Sequence, residues 1–184
     1  MEAGGNCHMK LQNTIFLALC CTLGLFAKKL ISPFSNVVTD ALHIPGGVST
    51  AFSLMFLVVA AGITKQKWSA TLMGAVQSVL ALAFGMGGGM GILAPVGFIL
   101  PGVMIDLVVT LQKSREREQT VRLFLANVLA SMTAALSADL LAFRLHGPAL
   151  AVYLGVAATS GGICGYLAGI LCGRLHKTNL FHVD

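Results

Sequence analysis

Residues 148–175 read PALAVYLGVAATSGGICGYLAGILCGRL, from Pro148 to Leu175, with a single charge, Arg174, next to the end. About 20 consecutive apolar residues cross a bilayer as a helix, so this stretch predicts a membrane span. Gly161, Gly165, Gly169 and Gly173 recur every fourth position within it. Small residues at that spacing share one helix face and let a second helix approach backbone to backbone. The stripe is expected to pack inside the protein, or else against a partner subunit. Shorter small-residue stripes run through Ala70, Gly74 and Ser78 and through Thr14, Ala18 and Thr22.

Working outward, five further apolar segments precede this one: Leu11–Ile31, Val48–Thr64, Ser69–Phe84, Ile92–Gln112 and Thr120–Phe143. The second and third are short for a span. The composition agrees with a membrane protein: 56% of residues are hydrophobic, 10% are charged, and mean hydropathy is +0.84. Soluble domains usually carry about 25% charged residues. The expected fold is an all-α integral membrane bundle of about six transmembrane helices, forming a single domain over residues 1–184.

Charge sets the orientation. With the N-terminus inside, Lys10, Lys65, Lys67, Lys113, Arg115, Arg117, Arg122, Arg174 and Lys177 are cytoplasmic, and only Lys28, Lys29 and Arg144 are external. This positive-inside bias places both termini in the cytoplasm. Lys28 and Lys29 are expected to snorkel from the outer end of the first helix. The net charge of +5 is thereby absorbed by topology, and no basic-plus-aromatic surface for nucleic acid is visible.

The external connections hold most of the polar and permissive residues. In Ser32–Gly47, Ser35 is suited to cap a short helix. Asn36, Asp40 and His43 would then share one stripe, opposite Val37, Val38, Ala41 and Leu42. Pro45 stops that helix and Gly46-Gly47 turns the chain. The stretch reads as an amphipathic helix on the membrane surface, its polar stripe turned toward a pocket or simply toward water. Gly85–Gly91 reads as a mobile gate. Arg144 and His146 lie in the last external connection, just beyond Asp139.

Ionisable side chains within a membrane rarely face lipid. Asp106 and Asn127 fall at similar depth on the fourth and fifth segments and are placed to hydrogen-bond as a helix clamp. Gln77 lies near the middle of the third segment, within reach of a pocket or a backbone carbonyl. Asn36, Asp40, His43, Asp139, Arg144 and His146 would together give an external rim with both charge signs, binding a ligand or holding the loops by ion pairs.

Enzyme motifs are absent: there is no G-x-x-x-x-G-K-[ST], no H-E-x-x-H and no G-x-S-x-G. Each would supply a recognisable phosphate cradle, zinc site or nucleophile. The Gly85–Gly91 run follows a membrane helix and not a strand, which argues against dinucleotide binding. Of five cysteines, Cys20, Cys21, Cys164 and Cys172 sit in apolar runs as small hydrophobes. Cys7-His8-Met9 offers soft metal ligands, but no metal site and no cofactor is assigned. The first apolar run is too long for a signal-peptide core, and no clear cleavage site follows it.

Several stretches resemble one family. Ile44-Pro45-Gly46-Gly47, Gln77-Ser78-Val79-Leu80-Ala81-Leu82 and Pro101-Gly102-Val103-Met104-Ile105-Asp106-Leu107 are similar to sequences of the S components of energy-coupling factor (ECF) transporters, particularly the thiamine-precursor type. Size, six segments, inward termini and the small face of the first helix fit as well. The family's usual A-x-x-x-A stands here as Ala18-Leu19-Cys20-Cys21-Thr22. Leu42-His43-Ile44-Pro45 is similar to the His-Ile-Pro of cobalt and nickel S components, where it is N-terminal. The resemblance implies a multi-pass protein of the bacterial cytoplasmic membrane that captures a vitamin or vitamin precursor. It also implies a membrane coupling subunit and two ATPase subunits as partners, with the first-helix small face docking on the coupling subunit.

The expected function is therefore a non-enzymatic, substrate-specific importer subunit that binds a small micronutrient in the outer half of the bundle. Candidate substrate-binding residues are Asn36, Asp40, His43, Gln77, Asp139, Arg144 and His146. The alternatives are a membrane-embedded enzyme using Asp106 or Asp139 with a histidine, a metal-ion S component, and a self-contained secondary transporter. The last should carry inverted repeats, and none is visible.

Overall fold

A computed structural model describes residues 3–42, 48–64, 68–85, 93–111, 119–143 and 147–177; within the first helix, side-chain surroundings are described for residues 13–33. Every regular element among them is helical. The order is α1 (Ala3–Leu42), α2 (Val48–Thr64), α3 (Ser69–Ala83), α4 (Ala94–Leu111), α5 (Gln119–Ala138), a π turn (Asp139–Phe143) and α6 (Pro148–Lys177). Among the described residues, four helices are long and apolar enough to cross a membrane, over Asn13–Pro33, Ala94–Leu111, Gln119–Leu141 and Pro148–Leu175.

The two short helices are explained by position. α2 has 17 residues and α3 has 15, which is about 25 and 22 Å at about 1.5 Å per residue. α2 is apolar on all sides and packs against α1, α3, α4, α5 and α6. Ala51, Leu57, Val58 and Ala60 are fully buried. A helix apolar all round belongs in the interior, and one walled in by protein need not match the bilayer's thickness. Around it pack Leu17, Cys20 and Cys21 of α1, Met73 of α3, Ile105 of α4, Leu123 of α5 and Cys164 and Cys172 of α6.

Small residues decide which helices touch most closely. A Cβ on Gly165 would lie 2.9 Å from the Cα of Phe124, and one on Gly161 would lie 2.7 Å from the Ser131 hydroxyl. Gly169 meets Thr120 in the same way, whereas Gly173 has nothing within 4 Å. Three of the four stripe glycines therefore seat α6 on α5, in antiparallel order. The Ala70–Gly74–Ser78 face packs on α4. A Cβ on Gly74 would meet the Phe98 carbonyl at 2.6 Å, and one on Gly102 would meet the Ala70 carbonyl at 2.7 Å.

The first helix departs from expectation. It runs without a break from Ala3 to Leu42, with Pro33 inside it. Ser35 therefore does not cap a separate helix. A proline removes one backbone bond and crowds the carbonyl four residues back; with its ring exposed at this point on the helix, α1 absorbs that cost and continues. At about 60 Å the helix outruns the hydrocarbon of a bilayer, about 30 Å. Asn36 and Asp40 lie on this extension, four residues apart.

Two turns use left-handed backbone. Gly85 (φ 65°) follows the Phe84 cap of α3 and donates its N–H to the Leu82 carbonyl at 3.1 Å. Gly is the usual residue there because it carries no Cβ to clash. Gly147 (φ 67°) precedes Pro148 at the first turn of α6, where a missing N–H costs nothing.

Candidate functional site

Asp139 opens the π turn that ends α5 and is buried. A π turn carries one residue more than the α-helix it extends and occurs often at functional positions. It ends the α-helical register of α5 one residue before Leu140, which is 73% exposed beside the buried carboxylate. Tyr153 of α6 is buried within electrostatic reach of Asp139 and packs with Ala135, Ala157 and Leu154. The buried Ser137 satisfies its hydroxyl on the Ala134 carbonyl at 2.9 Å. An acid and a phenol thus lie near one another where α5 ends and α6 begins.

A second polar group lies among α1, α2 and α3. Gln77 is 1% exposed and donates its side-chain N–H to the Cys21 carbonyl at 3.3 Å. The Cys21 thiol points back to the Met73 carbonyl at 3.9 Å. A Cβ on Gly24 would lie 2.9 Å from the Gln77 nitrogen and 3.3 Å from the Ser53 carbonyl. Gly24 therefore makes the room in which α1 closes on Gln77 and Ser53. Of the two sequence readings of Gln77, the backbone-carbonyl contact is the one observed.

Asp106 and Asn127 are both buried, but they do not pair. Asp106 accepts the backbone N–H of Ala70 at 3.1 Å, the N–H of Thr71 at 2.7 Å and the Thr71 hydroxyl at 2.7 Å. Asn127 donates to the Gly161 carbonyl at 2.7 Å. Each is a helix clamp, but to a different neighbour than expected. The reason is that the first N–H groups of a helix lack intrahelical partners. Trp68 precedes α3 with φ 66° and offers no side-chain cap, so the carboxylate of α4 fills that need.

Lys28 also differs from expectation. Its ammonium lies 4.2 Å from the centre of the Phe98 ring, whereas Lys29 is exposed. The Lys28 contact with the aromatic face is worth about 0.5–2 kcal/mol.

The remaining proposed site residues divide simply. Asn36 and Asp40 stand on the α1 extension, where only the backbone is described, and His43, Arg144 and His146 lie outside the described residues. So do residues 86–91 of the glycine run and the loops 65–67 and 112–118. Among the described residues, no three metal-ligating side chains converge.

No protein-family model, curated protein or solved structure matches this chain.

Proposed function

We propose that the protein is the substrate-capture subunit, or S component, of an ECF-type importer for a small water-soluble micronutrient. In this reading six helices cross the bacterial cytoplasmic membrane, both termini are cytoplasmic, and ligand enters at the end of the bundle bearing Asp139. Asn36, Asp40, His43, Asp139, Arg144 and His146 are the residues assigned to the ligand, and Gln77, already bonded to the Cys21 carbonyl, is left out. Energy comes from two ATPase subunits through a membrane coupling subunit, so this chain needs no phosphate-binding loop.

The observation that carries the proposal is the outward face of α1. Thr14, Ala18 and Thr22 are exposed at four-residue spacing, on the helix that the resemblance assigns to partner docking. The Thr22 hydroxyl is already satisfied by the carbonyls of Ala18 at 3.1 Å and Leu19 at 3.0 Å. Ile15, Leu19, Leu23 and Phe26 are exposed beside it, so the outward side of α1 is an apolar surface with a narrow small-residue stripe, which suits helix packing in lipid.

The test is Ala18→Trp in cells that express the native partners. Ala18 is exposed, so the variant should fold and keep its ligand. It should lose at least about 90% of the ATPase that co-purifies with the wild type. Full co-purification with Ala18→Trp would contradict docking through this face.

A further inference from the structure

Lys28 is a half-buried cation inside a membrane span. Its direction follows from the topology. A short connection joins Leu42 to Val48, and α2 ends beside the start of α3, which Asp106 caps. So α1 runs away from the Asp106 end of the bundle. A helical side chain leans toward the N-terminus of its own helix, which turns the Lys28 stem back into the bundle. Its ammonium rests 4.2 Å from the centre of the Phe98 ring. Phe98 stands beside Gly74, since a Cβ there would meet the Phe98 carbonyl at 2.6 Å. Gly74 lies about 13 Å short of the end of α3 at Ala83. The charge is therefore drawn inward, not carried out past the helix ends.

No acid is placed to meet it. The sequence holds seven acidic residues. Asp106 is committed to the start of α3 at the other end. Asp139 stands where α5 ends, whereas α1 packs chiefly on α2 and α3. Asp40 is about 18 Å further along α1. Glu2, Glu116, Glu118 and Asp184 adjoin in sequence Ala3, Leu111, Gln119 and Lys177, which belong to the Asp106 end. The connections 43–47, 86–92 and 144–146 contain no acid at all.

Two hydroxyls share this seam. Ser53 of α2 is 2% exposed, and Ser49, one turn before it on the same face, is 8% exposed. Neither hydroxyl has a hydrogen-bond partner among the described residues. The Ser53 oxygen would stand 3.5 Å from a Cβ on Gly24, so it faces α1. Lys28 is the next residue on that face of α1, four positions on. The α1–α2 seam thus offers three N–H donors and two O–H donors and no carboxylate.

We infer that Lys28, Ser49 and Ser53 form an anion site, and that the captured solute bears the anion, a carboxylate or a phosphate. An oxyanion accepts several donors at once and bonds most strongly to a charged one. An unpaired cation within a membrane span marks a ligand path more often than a lipid contact. The identity of the anion's carrier rests on the substrate-capture reading; the site itself does not.

The probe is inorganic phosphate, added to the full chain in lipid-free maltoside. Thermal unfolding is compared with sodium chloride at equal ionic strength. Phosphate should raise the wild-type midpoint by at least about 3 °C, as a ligand of the native state does. Lys28→Met keeps a stem beside Phe98 and loses the charge, and its rise should fall below about 1 °C. The double variant Ser49→Ala with Ser53→Ala has no hydrogen bond to lose, should fold, and should show at most about half the wild-type rise. No phosphate-specific rise in wild type, an equal rise in Lys28→Met or an undiminished rise in the serine variant would overturn the site. A second arm adds phosphatidylglycerol; if it abolishes the phosphate response, the occupant is a lipid headgroup and the assignment to a solute fails. A third arm is mass spectrometry of the compound released by wild type from native membranes. A compound with neither carboxylate nor phosphate would overturn the inference and leave substrate capture standing. An absent compound with the Lys28-dependent phosphate response intact would support the site and count against capture alone.

Discussion

The carboxylate of Asp106 on α4 accepts both the backbone N–H and the side-chain hydroxyl of Thr71 on α3, each at 2.7 Å. A third bond comes from the Ala70 N–H at 3.1 Å. The start of one helix is thus capped by a side chain from the next. The arrangement also holds Trp68 at φ 66°, a backbone conformation that costs a non-glycine residue about 1–2 kcal/mol.

Asp106→Ala should therefore destabilise the protein by about 3–5 kcal/mol. It removes hydrogen bonds to a charged acceptor, worth about 1.5–3 kcal/mol each, and leaves buried donors unpaired. Asp106→Asn keeps one acceptor oxygen and should cost about 1–2 kcal/mol. Thermal unfolding in detergent, followed by helical circular dichroism, gives the ranking. Equal stability of both variants would contradict the cap.

The α6 glycines should differ sharply by position. Gly165→Leu forces bulk against the Phe124 backbone, where a Cβ already stands 2.9 Å from the Cα. It should cost about 3 kcal/mol or more, at the upper end of overpacking effects. Gly173→Leu has open space and should change folding stability by under about 1 kcal/mol. Size-exclusion profiles and melting curves of the two variants separate these outcomes.

Much of this fold was legible because hydrophobic length carries the signal in a membrane protein. Val48–Thr64 begins and ends as α2 does, and Pro148–Leu175 falls two residues short of α6 at its C-terminus. The close contact through Gly161, Gly165 and Gly169 was legible from spacing alone. The continuation of α1 through Pro33 was not, because proline's local penalty says nothing about how much helix on either side outweighs it. Nor was the partner of Asp106 legible. Equal depth on two helices suggested Asn127, but depth does not report facing, and the unmet N–H groups at Ala70 and Thr71 compete more strongly. The π turn at Asp139 has no sequence signature that separates it from the end of an α-helix. Of the candidate ligand residues, Gln77 and Asp139 are buried; the place of Gln77 inside an apolar run fits that, whereas Asp139 reads in the sequence as part of an external rim.

The α1 extension supplies a further prediction. If the polar stripe expected from the sequence is a surface one, Asn36→Ala and Asp40→Ala on the extension, and His43→Ala just past it, should leave stability within about 1 kcal/mol. A lost ligand hydrogen bond is worth about 0.5–1.5 kcal/mol, or about 1.5–3 when a charge takes part. Affinity should then fall from a few-fold to about a hundredfold. Titration of the purified variants with the co-purifying ligand checks this, and unchanged affinity in all three would remove the stripe from the site.

Topology follows from the basic residues. A reporter fused after Asp184 or between Lys113 and Glu118 should read cytoplasmic, and one within Gly85–Gly91 external. Reversed signals would place the Asp139 end inside and withdraw the proposed route of ligand entry.

The most direct test of the central claim is mass spectrometry of the small molecules released from the protein purified out of its native membrane. The account expects one water-soluble compound near one equivalent per chain, reduced at least about tenfold in Asp139→Ala of equal helicity. A wild-type protein that carries no such compound under any extraction, or an Asp139→Ala variant that carries it undiminished, would contradict the assignment of this bundle to substrate capture at Asp139.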